Sequence, residues 1–203
     1  NDNIVGEGRV IKEGEATLRL SGVNTYGGGT EVKEGNLLGN QLSLQGNIRV
    51  DEGAILAFED QTLTSTHTYD GEITGEGAVI KLDDHILRFT SGSLAVTGGT
   101  EIREGTLSGD AGSISGDVLI GAGALFQLSQ TSAGEYAGNL TGEGKLEKGG
   151  TEELSLTGTN SFTGGIDVLA GNLKGNSGSI PGDIALSDVS SQVIFDQSAA
   201  IGD

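Results

Sequence analysis

The chain has 203 residues, among them 37 glycines, one proline and no cysteine, methionine or tryptophan, which excludes a disulfide framework, a thiolate metal site and a cysteine nucleophile. Eleven basic and 29 acidic side chains leave a net charge of −18, a field that opposes approach to nucleic acid or anionic lipid. Residues 1–70, 71–137 and 138–203 each carry −6, so the charge reads as a solubilising surface that repeats along the molecule. About a third of the residues, 34%, are apolar, enough to bury a core. No apolar run is long enough to span a bilayer, so no membrane insertion of this segment is expected. The opening Asn1-Asp2-Asn3 lacks the basic and apolar regions of an export signal.

In chain order, Gly6-Glu7-Gly8-Arg9-Val10-Ile11-Lys12 comes first and returns as Gly75-Glu76-Gly77-Ala78-Val79-Ile80-Lys81 and Gly142-Glu143-Gly144-Lys145-Leu146-Glu147-Lys148, with offsets of 69 and 67. Leu18, Leu87 and Leu154 each stand six residues past the lysine. Next come Gly28-Gly29-Thr30-Glu31-Val32, Gly98-Gly99-Thr100-Glu101-Ile102 and Gly164-Gly165-Ile166-Asp167-Val168, each followed by Gly-x-Leu at Gly35, Gly105 and Gly171. A further glycine, Gly46, Gly116 or Gly182, then introduces Ile48-x-Val50, Val118-x-Ile120 or Ile184-x-Leu186. The chain is therefore divided into three superrepeats, 1–71, 72–138 and 139–203.

Within a superrepeat, Val10, Val32 and Ile55 fall 22 and 23 residues apart, which predicts a unit near 23 residues and three units per copy. Short alternating runs such as Leu18-Arg19-Leu20 and Leu154-Ser155-Leu156 read as strands with one buried face, and no segment holds a helical period. Lys12, Lys81 and Lys148 are expected to point outward. Units of this length lie in the solenoid range and below a propeller blade, so the pattern predicts an all-β parallel β-helix of about nine coils. At a strand spacing of ~4.8 Å that is a rod on the order of 40 Å long. The lack of an evident cap leads to the expectation that the native polypeptide continues beyond this stretch.

The stretch Leu154–Leu173, with Gly158-Thr159-Asn160-Ser161-Phe162-Thr163-Gly164-Gly165, resembles the passenger-associated transport repeat, also called the autotransporter-associated β-strand repeat. Leu18–Leu37, with Gly22-Val23-Asn24-Thr25-Tyr26-Gly27-Gly28-Gly29, is similar to it as well, and Leu87–Leu107 lacks the asparagine and the aromatic. The resemblance implies the passenger of a Gram-negative type V secretion protein. Such a chain is threaded through an outer-membrane translocator barrel of the same polypeptide and folds at the cell surface, or after secretion, as a right-handed parallel β-helix. Asn24 and Asn160 are candidate turn residues whose amides satisfy corner backbone groups, Tyr26 and Phe162 cover the corner, and the Gly pairs permit the reversal.

Catalytic chemistry is thinly supplied. His67 and His85 have no histidine counterparts in the other copies, and Asp83-Asp84-His85 reads as a solvated turn. Glu59-Asp60 and Glu152-Glu153 are the candidate acid–base pairs for the rival reading, a carbohydrate-active β-helix enzyme of polysaccharide lyase, hydrolase or phage-spike type. Tyr69 and Tyr136 precede Gly71 and Gly138 and suit either a surface stripe or corner packing. No cofactor or metal motif appears: both the calcium-binding Gly-Gly-x-Gly-x-Asp nonapeptide and the phosphate-binding Lys-Ser/Thr ending are missing. The sequence points to a non-enzymatic stalk or adhesive segment, with a host-cell receptor, a glycan or a second copy of the rod as its candidate partner.

Overall fold

Runs in which every second residue is aliphatic become strands of two to five residues, because alternation sends one set of side chains inward and the other outward. The computed structural model describes residues 3–60, 66–90 and 93–197 and holds, among them, 26 strands and no helix. Asn1-Asp2, Thr64-Ser65 and the last six residues of the third superrepeat lie outside the described residues. Pairing is parallel throughout, each strand inside a sheet lying between the strand one turn earlier and the strand one turn later. The chain is a β-solenoid of about nine turns.

Three faces enclose the core. The first begins with Val10–Lys12, Thr30–Val32 and Ile48–Val50; the second runs from Leu18–Arg19 to Leu140–Gly142; the third runs from Thr66–Tyr69 to Ile184–Leu186. Two smaller sheets extend the first and third faces across short turns. Strand Gly134–Tyr136 follows the turn at 111–116, where the Tyr136 hydroxyl donates to Gly116 O at 2.6 Å. Strand Thr25–Tyr26 precedes the turn at 40–46, to which Asn24 N–H donates through Leu42 O at 2.9 Å.

Most turns are shorter than the predicted unit. On the third face Leu87 lies beside Leu107, Leu107 beside Phe126 and Phe126 beside Leu146, advances of 20, 19 and 20 residues. The extremes fall together on the first face, where Thr30 lies beside Ile48 and Ile48 beside Ile73, advances of 18 and 25. The 23-residue spacing arose from aligning like-looking residues that do not stack. Val32 pairs with Lys12 rather than Val10, and Ile55 stands on another face.

One superrepeat therefore spans three turns plus one face. Val10 lies on the first face, its counterpart Val79 on the second and Leu146 on the third. Copies related by offsets of 69 and 67 are thus displaced by about a third of a revolution as well as along the axis.

Inside, aliphatic side chains pile in columns. Leu37, Leu56 and Val79 stack in register and are at most 1% exposed; burying each such side chain stabilises by ~1.5–3 kcal/mol. The column also carries aromatics. Tyr69 packs edge-on to Phe58 and Phe89 with ring centroids 5.4 and 5.9 Å away, and Phe126 meets Tyr136 at 5.4 Å. Tyr69 and Tyr136 are thus corner-packed core residues.

Candidate functional site

The repeated turn is built around one carboxamide. Ile4 N–H donates to Asn24 Oδ1 at 2.8 Å, and Asn24 Nδ2 donates to Ser43 O at 2.6 Å. In the third copy Leu140 N–H donates to Asn160 Oδ1 at 2.8 Å, and Asn160 Nδ2 donates to Ser179 O at 2.6 Å. An amide carries a donor and an acceptor on one rigid plane, so each buried asparagine links the turn before it to the turn after it. Tyr26 shares a hydrogen bond with Thr30 Oγ1 at 2.7 Å and accepts one from Gln45 N–H; Phe162 takes the same place with no hydroxyl and is 1% exposed. In the second copy Leu94 and Val96 occupy these positions. The chain there forms the four-residue strand Ser93–Val96, with Leu94 N–H donating to Ser113 O at 2.7 Å.

The glycines stand where neighbouring turns touch. A Cβ on Gly28, Gly98 or Gly164 would lie 2.8 Å from Gly8 C, 2.5 Å from Gly77 O or 2.2 Å from Gly144 O, so close stacking alone demands glycine there. The following residues, Gly29, Gly99 and Gly165, have φ of 77°, 86° and 82°. Gly35, Gly105 and Gly171 combine both constraints: φ is 64°, 67° and 69°, and a Cβ would meet Glu15 O, His85 O or Thr151 O at 2.6 Å or less.

The lysines before those corners overturn the outward placement expected of them. Lys12, Lys81 and Lys148 are 5%, 1% and 0% exposed. Lys12 Nζ donates to the carbonyls of Glu13, Gly14 and Glu34; Lys81 Nζ to Asp83 O at 2.6 Å, Asp83 Oδ1 at 2.8 Å and Glu104 O; Lys148 Nζ to Gly150 O at 2.6 Å and Ala170 O at 2.8 Å. Each ammonium holds its own corner and the corner of the next turn. Burial pushes the Lys148 ammonium below the ordinary lysine range, against an opposing pull from Glu152. The signal was present in the sequence: Val10-x-Lys12, Val79-x-Lys81 and Leu146-x-Lys148 place the lysine on the inward side of the alternation.

The candidate catalytic groups divide. Glu152 is exposed, and Glu59 forms an ion pair with Arg19. Asp60 Oδ2 lies 3.0 Å from His67 Nε2, with the two side chains 2% and 5% exposed. Gln41 Nε2 faces His67 Nδ1 at 2.7 Å, which makes Nδ1 the acceptor. The His85 ring packs edge-on to His67 at 5.3 Å. Only Asp84 of Asp83-Asp84-His85 is solvated, at 87% exposure, because Asp83 turns inward to Lys81 and to the Asp60 N–H at 2.8 Å. The gap beside Asp60 and His67 is about 10 Å³, no larger than one water requires. Among the described residues no three His, Asp or Glu side chains are grouped to hold a metal ion.

Comparison with known proteins places this geometry. The passenger-associated-transport-repeat family matches residues 10–38, 79–108 and 146–174, segments that each run from the strand carrying the buried lysine to the strand after the corner glycine. The chain is also 32% identical over 172 residues to the Adhesin BmaC autotransporter of Brucella suis biovar 1 (strain 1330), an alignment covering 73% of this chain and 5% of that protein. No solved structure matches. With the repeat found in all three superrepeats and each copy set on a parallel solenoid, the chain carries passenger-associated transport repeats and resembles part of an autotransporter adhesin.

Proposed function

We propose that this chain is a rigid extracellular stalk of an autotransporter passenger that also presents an adhesive face, attached through the same polypeptide to an outer-membrane translocator barrel. The observation that carries the reading is the continuous hydrophobic core, to which every face contributes, from Val32 through Leu56, Ile102 and Phe126 to Leu173, all at most 1% exposed. Such a core makes a rod rather than a container. Turn-by-turn stacking also suits a chain that emerges from a pore end-first, since each turn needs only its predecessor to fold on. The superrepeats 1–71, 72–138 and 139–203 serve as its modules. Like-charged rods at −18 repel one another, which favours a ligand on the host side over a second copy as partner. Similarity to an adhesin supports the same reading.

Sedimentation velocity over a hundredfold range of concentration, paired with host-cell binding to surfaces coated with the chain, tests it. A concentration-independent elongated monomer that retains cells is the expected result. A dimer growing with concentration would transfer the role to self-association, and depolymerisation of a polysaccharide by the purified chain would replace the stalk with an enzyme.

A further inference from the structure

Of the eleven cations in the chain, ten have a partner among the described residues. Arg9, Arg19, Lys33, Arg49, Arg103, Lys145 and Lys174 are paired with carboxylates, and Lys12, Lys81 and Lys148 are held in the corners. The remaining one is Arg88. It sits outward on the strand Ile86–Phe89 of the third face, exposed, with Thr68 on one side and Ser108 on the other in the stack. In a molecule this acidic an unpartnered guanidinium is unusual.

Its surroundings are hydroxyl-rich. A shallow groove of about 390 Å³ is lined by Arg88, Thr90, Ser108, Gln127, Ser129 and Thr131. Ser108 Oγ donates to Gln127 Oε1 at 2.7 Å and Gln127 Nε2 donates on to Glu147, so the ladder runs away from Arg88; Ser108 itself is 3% exposed, and the hydroxyls turned to the groove are those of Thr90, Ser129 and Thr131. Asp110 also borders the groove; its Oδ1 accepts from the N–H groups of Gly112 and Ser113 at 2.9 and 2.7 Å, which ties the carboxylate to its own turn and leaves its charge in place. One planar cation beside open hydroxyls is the complement of one carboxylate beside several hydroxyls.

The geometry points to a binding site for carboxylate-bearing saccharides on the third face, with Arg88 gripping a sialic or uronic acid carboxylate while Thr90, Ser129 and Thr131 meet the sugar hydroxyls. This assignment deepens the adhesive reading and rests on it, but it is tested apart from the rod. Amide resonances of the 203-residue chain are followed during titration with 3′-sialyllactose, a glucuronic acid tetrasaccharide, lactose and acetate. The two acidic sugars are expected to shift resonances around Arg88, Ser108 and Thr131 where lactose does not, the pair separating sialic from uronic sources. Arg88→Gln should weaken binding by about tenfold, with Arg88→Lys in between. Unchanged circular dichroism would show that both variants fold, the Arg88 side chain making no ion pair or hydrogen bond among the described residues. Shifts centred elsewhere, acetate binding as tightly as the sugars, or full affinity in Arg88→Gln would each overturn the site. A monomeric rod that retains cells yet ignores acidic sugars would sink this site and leave the stalk standing.

Discussion

At the residue scale, the buried lysines carry the most consequence. An ammonium with a four-carbon stem fills the inward position of a strand end with methylenes while its head supplies donors to corner carbonyls that no backbone N–H reaches. Removing the head while keeping the stem isolates that second role. Lys148→Met should destabilise by roughly 2 kcal/mol, the cost of leaving the Gly150 and Ala170 carbonyls buried without a donor. Lys145→Met removes only a surface pair with Asp167, both side chains being partly exposed, and should change stability by less than ~0.5 kcal/mol. Urea midpoints decide it. A Lys148→Met chain as stable as the parent would show that relief of the lysine's desolvation offsets the lost donors.

At the element scale, the strands Thr66–Tyr69 and Gly134–Tyr136 each end on a tyrosine whose hydroxyl closes the corner below it, on Gly46 O and Gly116 O at 2.6 Å. Desolvation pushes both hydroxyls above the ordinary tyrosine value of 10.0, with smaller contributions from Tyr26 and Asp117. The folded chain therefore keeps protons that the unfolded chain gives up. The resulting stability is fully present below pH ~10 and is lost as pH rises from there toward the folded values. Denaturation midpoints measured between pH 8 and 11.5 should fall steeply above ~10, and the double variant Tyr69→Phe/Tyr136→Phe should flatten that fall while losing some stability at neutral pH. An unchanged slope in the double variant would place the alkaline sensitivity elsewhere.

At the scale of the whole molecule, the superrepeat acts as a screw operation, three turns up and one face round. Gly71 and Gly138 are equivalent, since Tyr69 and Tyr136 precede them at the same spacing and each packs against the glycine of the previous corner. Excising residues 72–138 joins Gly71 to Asn139 in a junction that reproduces the native Gly138-Asn139 step. This deletion should retain the strand signal in circular dichroism and a cooperative unfolding transition. Deletion of residues 126–135 removes half of the turn that separates Phe126 from Leu146, displaces every later strand from its face, and should abolish that transition. Because neighbouring turns supply nearly all contacts, stability is expected to scale with the number of turns. Survival of the half-turn deletion would mean that the turns are not the cooperative unit.

Much of this was legible along the chain. Alternation at Leu18-Arg19-Leu20 and Leu154-Ser155-Leu156 marked strands, the glycines at 28–29, 98–99 and 164–165 marked corners, and repetition of both required a solenoid, because a strand this short is stable only when a like strand lies beside it. Pairing partners were hidden: Val32 looks like Val10 yet stacks on Lys12, since hydrophobicity records which side of a strand is buried and says nothing about which face the strand joins. Lysine composition misled for a related reason. Charge predicts exposure only until a cluster of carbonyls is ready to receive it, and the carbonyls around Lys148 come from Gly150 and from Ala170, one full turn apart. Strands, corners and their recurrence can be read along the chain because they are local properties of backbone sterics and alternation. The length of a turn, the one-face advance between copies and the donors' partners around the three ammonium groups emerge on stacking, because each of these depends on what the neighbouring turn presents.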